Sequence, residues 1–159
     1  MAVQLDEVDI QLLSALQEDA DRTNVELARM TGLSPAATLH RVRRLKESGV
    51  IRKIAARLDS AAAGFTLQVY VMVTLARHDE VANRRFVQEV RAIDQVIAGD
   101  VVAGETDALL MIVARDVAEL QLVLSRLSTR GGVQRMITLL RMEELKSPSP
   151  LPLVATPRR

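Results

Sequence analysis

Glu105 and Asp107 are the side chains whose type and spacing could do chemistry: two carboxylates, two positions apart, behind Gly104 in the stretch VVAGETDALLMIV. A catalytic pair or a metal site would need a further base, nucleophile or ligand close to them. The only histidines of the sequence are His40 and His78, and neither stands at a metal-ligand spacing from the carboxylates. We therefore expect no catalytic or metal centre here, which disfavours an enzyme.

The spacing of these residues does not decide between two other interpretations of the acidic stretch. The apolar residues on both sides are typical of strands, so GETD can be a plain hairpin turn, for which Gly, Thr and Asp are common residues. It can also be a site that holds a charged small molecule.

Composition excludes several further classes of function. The chain of 159 residues has no cysteine, which rules out disulfides, thiolate metal sites and cysteine nucleophiles. It has three aromatic residues, Phe65, Tyr70 and Phe86, so stacking of bases on aromatic platforms is not expected. A hydrophobic fraction of 48% suffices for a buried core. The sequence shows neither a signal peptide nor a membrane-spanning run, so we expect a cytoplasmic protein that does not bind membranes.

Basic side chains cluster in a second region, between positions 41 and 57. Seven arginines and lysines stand there against Glu47 alone, although the net charge of the whole chain is +1. Such a cluster is either a solvated helix face or a surface for phosphates. The local structure that carries the charges has to decide between these two interpretations.

Three helices are predicted in this part of the chain. The stretch LDEVDIQLLSALQ repeats its leucines at helical spacing. Thr23 and Glu26 form a capping box for a second helix, and Gly32 suits its left-handed end. Ser34 is placed to cap a third helix, with Pro35 in its first turn.

The third predicted helix has the properties of a DNA-recognition helix. Thr38, Val42 and Leu45 form its buried stripe, so its basic residues lie off that stripe. The following stretch VIRKIAARLD alternates like a strand and predicts a basic wing. This plan is a helix-turn-helix, whose second helix enters the major groove. An ordinary three-helix bundle with a charged surface is the alternative, and the agreement of spacing, helix ends and charge favours DNA binding.

The rest of the chain predicts alternating strands and helices. FTLQVYVMVTLA, VIAGDVV, ALLMIVA and VQRMITLLRMEEL are typical of strands, whereas DEVANRRFVQEVRAI and DVAELQLVLSRLS are typical of helices. The order βαββαβ is ferredoxin-like, with two helices on one face of an antiparallel four-stranded sheet. The stretch SPSPLPLVATPRR contains four of the five prolines, and we expect it to be disordered.

Several separate motifs together resemble the leucine-responsive/asparagine-type (Lrp/AsnC) transcriptional regulators. They are LDEVDIQLLSALQEDADRT, ELARMTGLSPAATLHRVRRLKESGVIRK, the Gly64–Phe65 junction, AGETDALLMIVARD and GGVQRMITLLRMEELK, over about residues 5–146. The resemblance implies an α+β fold, with an N-terminal winged helix-turn-helix and a C-terminal ferredoxin-like βαββαβ sensor domain. We place the DNA-binding domain at 1–50, a wing strand or linker at 51–63, the effector-binding and oligomerisation domain at 64–146, and the disordered tail at 147–159.

The resemblance also implies partners. It predicts binding to double-stranded DNA, modulation by a small-molecule amino-acid effector, and homodimers paired through their sheets that assemble into tetramers or octamers. No other cofactor is expected.

On the third helix, Ser34 can contact phosphate as well as cap the helix, and Ala36 is small enough for close approach to the DNA. Arg41 has a structural alternative, a bond within the helix bundle, because the family nearly always carries arginine there. The residues predicted to lie near the DNA are Ser34, Pro35, Ala36, His40, Arg41 and Arg44. Arg43, Arg52 and Lys53 are predicted to contact the DNA backbone.

For the acidic stretch, the resemblance implies an effector site. The family carries a G-x-x-D hairpin that lines the effector pocket at subunit interfaces, and Gly104 and Asp107 match it. Asp107 would receive the ammonium group of an amino acid, and backbone N–H groups near Gly104 its carboxylate. Thr106 stands where many relatives have a larger residue, so we expect a different ligand choice. The predicted effector-binding residues are Gly104, Glu105, Thr106, Asp107 and Thr138, the last also interpretable as a packed sheet hydroxyl.

Two alternative functions remain. Sirohaem decarboxylases share the two-domain layout and a similar wing, but this chain lacks their C-terminal segment rich in histidine and aromatic residues. A DNA-packing protein that binds broadly and ignores ligands is the other alternative.

Overall fold

The computed structural model describes residues 3–77 and 79–154, and these divide into two units. One unit holds the described residues up to Ala56 together with those from Lys146 onward; the other is Arg57–Leu145. His78, one of the two histidines considered above, lies outside the described residues. Within the described ranges, no helix is both long and apolar enough to span a bilayer.

The N-terminal unit contains the three predicted helices: α1 (Glu7–Glu18), α2 (Asn24–Thr31) and α3 (Pro35–Glu47). The predicted caps are confirmed, because Thr23 and Glu26 form a reciprocal capping box and Ser34 Oγ accepts from the N–H of Ala37. Gly32 ends α2 with a φ of 68°, a conformation that favours glycine. The core of the unit consists of Leu12, Ala15 and Leu27, with Val8, Leu16 and Val42 packed against them.

The stretch 51–63 is a linker in the structure and not a wing strand. Residues 52–58 form no helix or strand, and a turn from Asp59 to Gly64 follows. The N–H of Ala62 donates to Asp59 Oδ1 at 2.6 Å, and the N–H of Phe65 to the carbonyl of Ser60 at 2.8 Å. A strand needs a neighbour to pair its N–H and C=O groups. Residues 50–56 of VIRKIAARLD belong to the N-terminal unit, whose described residues contain no strand, so this part of the alternation has no ladder to join.

The second unit contains four strands and two helices in the predicted order. The elements are β1 (Leu67–Leu75), α4 (Glu80–Arg91), β2 (Val96–Val101), β3 (Ala108–Ala114), α5 (Val117–Arg130) and β4 (Val133–Leu140). The strands pair antiparallel in the order β2-β3-β1-β4, which confirms the ferredoxin-like prediction. The last strand ends at Leu140, whereas the sequence pattern extended it to Leu145.

The two faces of this sheet differ in cover. On one face, alternate residues of β1 and β3 are buried against α4 and α5, with Phe86 and Leu127 as the main helix contributions. On the opposite face, the strand register places a band of large apolar side chains that are half-buried or exposed. We call this band the open sheet face; it consists of Tyr70, Met72, Leu109, Met111, Ile137 and Leu139.

The C-terminal stretch is partly ordered, in contrast to the predicted disorder of 147–159. Residues 147–154 form no helix or strand. The N–H of Leu151 nevertheless donates to Gln17 Oε1 at 2.7 Å, and Gln17 Nε2 donates back to the carbonyl of Leu151 at 3.4 Å. The extended prolines leave these two backbone groups without a helix or sheet partner, so the side chain of α1 supplies one. Residues 155–159 lie outside the described part of the chain.

A buried carboxylate connects α1 to α3. Asp9 is 1% exposed and accepts hydrogen bonds from two arginines of α3: Arg41 Nη1 at 2.9 Å and Arg44 Nη2 at 2.5 Å. Arg41 Nη1 also donates to Asp6 Oδ2 at 2.7 Å. Asp6 in turn caps α1 by accepting from the N–H of Asp9. The cap and the ion pairs therefore form one network across the helix interface.

The hydrogen bond from the Arg41 guanidinium holds the pKa of Asp6 below its ordinary value, and the capping N–H of Asp9 acts in the same direction. Burial opposes both effects. The bonds from Arg41 to the carboxylates of Asp6 and Asp9 raise the pKa of Arg41, the bond to Asp6 most, while burial opposes them.

This lowered pKa predicts an acid-dependent loss of stability in the N-terminal unit. A carboxyl whose pKa is lower in the folded chain contributes stability above its unfolded pKa, about 4, and loses that contribution as pH falls through its folded pKa. Asp6→Asn, which keeps the cap but not the charge, should flatten the decline of the free energy of unfolding on the acid side. Thermal unfolding followed by far-ultraviolet circular dichroism across this pH range measures the slope.

Glu7→Gln is the matched control, since Glu7 is an exposed acid in the same turn with no bond to α3. Equal acid slopes for Asp6→Asn and the unmutated chain would contradict the prediction.

Candidate nucleic-acid interface and effector hairpin

The exposed face of α3 is set by what the rest of the helix buries. Thr38 and Leu45 are fully buried, and the Thr38 hydroxyl donates to the carbonyl of Ser34 at 3.1 Å. Positions 36, 39, 40 and 43 lie on the opposite side and are all exposed. This side, together with exposed Pro35 and the cap Ser34, presents groups of the type that DNA contacts require. We call it the α3 outer face; it consists of Ala36, Leu39, His40 and Arg43.

Arg41 and Arg44 are not on the α3 outer face. The alternative considered for Arg41, a bond within the helix bundle, is formed in the structure through Asp6 and Asp9. Arg44 shares this role through Asp9, although half of its side chain remains exposed. No local sequence pattern indicates that Arg44 pairs with α1, because Arg44 and Asp9 stand 35 positions apart.

Leu39 and Lys46 are exposed residues of α3 that the sequence analysis did not select. Leu39 is 51% exposed, on the same face as His40 and Arg43. Leu39 is apolar, and the thymine methyl is an apolar group that the major groove offers to such a side chain. The spacing of Leu39 from Ala36 and Arg43, three and four positions, was the available signal.

Beyond α3, the basic residues divide between the two units. Arg52 and Lys53 are exposed in the segment that follows α3. Arg57 belongs to the other unit, where its Nη2 lies 3.6 Å from Glu144 Oε1. The basic run of the sequence is therefore divided between the two units.

The acidic stretch forms a hairpin between β2 and β3 that is bonded to the end of β1. The N–H of Val102 donates to the carbonyl of Asp107 at 3.0 Å and closes the turn. The Thr106 hydroxyl and the N–H of Asp107 both donate to the carbonyl of Val73, at 2.7 and 2.8 Å. Asp107 Oδ2 accepts from the N–H of Leu75 at 2.7 Å. Both side chains thus have structural partners on β1.

The other predicted effector residues lie apart from these bonds. Gly104 and Glu105 are exposed at the tip of the hairpin, and Gly104 has a φ of 151°, where a glycine is favoured. Thr138 of β4 pairs with Val71 of β1. Its side chain is exposed, on the sheet face that the helices cover. Val73 pairs with Met136, so Thr138 lies two residues further along β4 than the attachment point of the hairpin. Within the described ranges no group of three acids or histidines could hold a metal ion.

An apolar groove of about 380 Å³ opens beside the hairpin, between α4 and β2. Val101 and Ala108, which flank the hairpin, form one end of it. Arg91 of α4 and Asp100 of β2 are the charged residues of its wall. The remaining lining includes Phe86, Val87, Val90, Val96 and Leu110.

Comparison with known proteins identifies both units. A family model described as winged helix-turn-helix DNA-binding matches residues 5–52, and one described as Lrp/AsnC ligand binding domain matches residues 68–151. The leucine-responsive regulatory protein of Rhizobium meliloti (strain 1021) is 36% identical over 145 residues, which cover 91% of this chain and 93% of that protein.

Solved structures agree with this over nearly the whole chain. A transcriptional regulator from Neisseria meningitidis in complex with L-methionine has a TM-score of 0.86 at 33% identity, covering 94% of this chain and 97% of that one. The feast or famine regulatory protein from M. tuberculosis complexed with L-methionine has a TM-score of 0.82 at 30% identity, covering 90% and 95%. The chain therefore belongs to the Lrp/AsnC family of DNA-binding transcriptional regulators.

Proposed function

We propose that this regulator reads DNA with the α3 outer face and responds to an apolar amino acid that binds at the β2–β3 hairpin. The observation that carries the first part is the separation of arginines on α3, where Arg41 and Arg44 bond to α1 while Arg43 is exposed beside His40 and Leu39. Ser34, Pro35 and Ala36 then approach the DNA from the N-terminal end of the helix. Arg43, Lys46, Arg52 and Lys53 neutralise phosphates.

The effector proposal combines the hairpin with its neighbouring groove. A carboxylate accepts several hydrogen bonds, so the bond of Asp107 to Leu75 is compatible with an ammonium partner. Gly104 allows close approach of a ligand carboxylate to the backbone at the hairpin tip. The apolar lining of the groove suits an uncharged side chain, and two structural neighbours bind L-methionine. Glu105 and Thr138 would border the ligand only where another subunit completes the site.

We further propose a homodimer formed by the open sheet face. Large apolar side chains on an uncovered sheet face are a recurrent property of protein interfaces. In a two-fold dimer the same band would contact its own copy, as in a β-sandwich. Tetramers or octamers would follow from further contacts at other surfaces.

The remaining proposals concern the absence of enzymatic activity and the location of the protein in the cell. The relatives and neighbours described above are named as regulators, and we propose that this chain regulates transcription without catalysing a reaction. We also propose a cytoplasmic location, where a regulator of this kind would meet its DNA.

Removing Arg43 is expected to weaken binding to all DNA sequences similarly, because a phosphate contact carries no base information. Arg43→Ala should reduce the slope of log affinity against log salt by about 1. Leu39→Ala should instead weaken binding to the preferred sequence and leave random duplex unaffected. Fluorescence anisotropy with a fragment selected from genomic DNA, and with random duplex, measures both effects.

Arg130→Ala, which removes an exposed charge from the other unit, is the control for Arg43→Ala. An unchanged salt slope in Arg43→Ala would show that the α3 outer face is not the DNA surface.

For the effector, isothermal calorimetry with L-methionine and then the other common amino acids should show heat for apolar ligands. Asp107→Asn removes the charge and keeps an oxygen acceptor for the N–H of Leu75, so the hairpin should persist while binding is lost. Asp94→Asn is the matched control, since Asp94 is an exposed acid of the same unit that does not line the groove. No heat from any amino acid would contradict the sensor proposal.

For the dimer, Met72→Asp places a charge at the centre of the open sheet face and should convert dimers to monomers, since an unpaired buried charge is strongly unfavourable. Light scattering coupled to size exclusion measures the mass. Leu122→Asp changes an exposed leucine on α5, on the other side of the sheet, and should leave dimers intact. A dimer that survives Met72→Asp would place the interface elsewhere.

A further inference from the structure

A groove in the N-terminal unit is bordered on one side by the chain's own C-terminal stretch. It lies between α1 and residues 50–55, and its volume is about 490 Å³. Its walls are mainly apolar, with Gln17 on the α1 side and exposed Ile54 on the other. Two leucines of the C-terminal stretch, Leu151 and Leu153, complete the lining. The other apolar residues of the wall are Leu13, Leu16, Ala20, Val50, Ile51 and Ala55.

We propose that the surface formed by α1 and residues 50–55 is a recognition site for the segment Pro150–Leu153, and that the docked segment is a working part of the DNA-binding unit. Its role is to hold residues 50–55, which carry Arg52 and Lys53, in the position from which they reach phosphates. The second statement depends on the proposed DNA-binding surface; the first does not.

The recognition is specific because Gln17 contacts both backbone groups of one residue. Its amide oxygen accepts from the N–H of Leu151, and its amide nitrogen donates to the carbonyl of the same residue. Leu151 stands between two prolines, so its N–H is the only backbone donor from Pro150 to Pro152. A side-chain amide that reads one residue in this way substitutes for the neighbouring strand of a β-sheet.

The two leucines of the segment have different roles. Leu151 is 71% exposed, so it is held through its backbone and not through its side chain. Leu153 is half-buried and supplies the apolar contact with the groove. The prolines on either side of Leu151 restrict the segment to extended conformations before it docks, which lowers the entropy lost on docking.

Residues 50–55 depend on such packing because they have little backbone support. They form no helix or strand, and the N–H of Ile51, which donates to the carbonyl of Leu45 at 3.0 Å, is their hydrogen bond to α3. Val50 and Ile51 are half-buried, so side-chain contacts determine the course of this segment. Losing the docked segment would expose one side of those contacts to water and allow Arg52 and Lys53 to move.

Hydrogen exchange measured by mass spectrometry on the full-length chain tests the docking. Gln17→Leu keeps a side chain of similar size and removes both amide bonds, and Leu153→Ser removes the apolar contact. Each should accelerate exchange of the bonded amides of Ile51 and Leu151, in peptides covering 50–55 and 147–154, by about tenfold, the factor expected for the loss of one net hydrogen bond or of a comparable apolar contact. Leu151→Ser is the matched control, and it should leave exchange unchanged because its side chain is exposed.

Equal exchange in Gln17→Leu and the unmutated chain would overturn the recognition site. Acceleration by Leu151→Ser equal to that of Leu153→Ser would also overturn it, because docking would then lack the assigned side-chain roles.

The consequence for DNA is measured separately with the same variants. Gln17→Leu should lower the salt slope of DNA binding by up to about 2, one for each of Arg52 and Lys53. Faster exchange with an unchanged salt slope would overturn the positioning role and leave the docking established. A chain that binds no DNA at all would instead refute the proposed function, with the exchange result unaffected.

Discussion

Asp9 is a carboxylate that the fold removes almost completely from water, and the arrangement of the DNA-binding unit depends on how that charge is compensated. A buried carboxylate without partners is strongly unfavourable, so two positive groups must reach it. Arg41 and Arg44 of α3 do so, and because they stand three positions apart they lie on one side of their helix. Two contacts on one side fix the rotation of α3 about its own axis. That rotation, and not the charge of the helix, determines that Ala36, Leu39, His40 and Arg43 face outward.

The hairpin of the second unit is constrained in a comparable way. Thr106 and Asp107 bond to the backbone of β1, so the turn is already built without a ligand. A ligand that binds a preformed turn loses little of its binding energy to ordering the chain. A ligand can shift a conformational equilibrium only by the difference between its binding free energies for the two conformations. We therefore expect an effector here to act on how subunits associate, since the hairpin itself has little left to order.

Sequence reasoning succeeded where the determining interactions are local. Thr23 with Glu26 and Ser34 with Ala37 are three positions apart, so the pattern of a few residues contains both partners of each cap. Strand β3 was predicted with its observed bounds because it is a continuous apolar run. The hairpin position followed from the same pattern.

It failed where the partner is distant or missing. Asp9 and Arg44 are 35 positions apart, and Gln17 and Leu151 are 134 apart, so nothing in either neighbourhood indicates the bond. The alternation of VIRKIAARLD was read correctly as a pattern, but a strand also requires a second strand. The roles of Thr106 and Asp107 were assigned from resemblance alone, and their bonds to β1 became visible only with the sheet register.

Such distant partners also reduce the number of charges in the basic cluster that are available to bind phosphates. Of its seven positive charges, Arg41 and Arg44 compensate a buried acid, and Arg57 pairs with Glu144 in the other unit. Roughly four remain exposed, and on the DNA surface that we propose they would limit the salt dependence of binding accordingly. A count of charges along the sequence would nearly double that number. Moderate electrostatic attraction leaves a larger share of the discrimination between sequences to base contacts, and the apolar Leu39 beside His40 is suited to supply them.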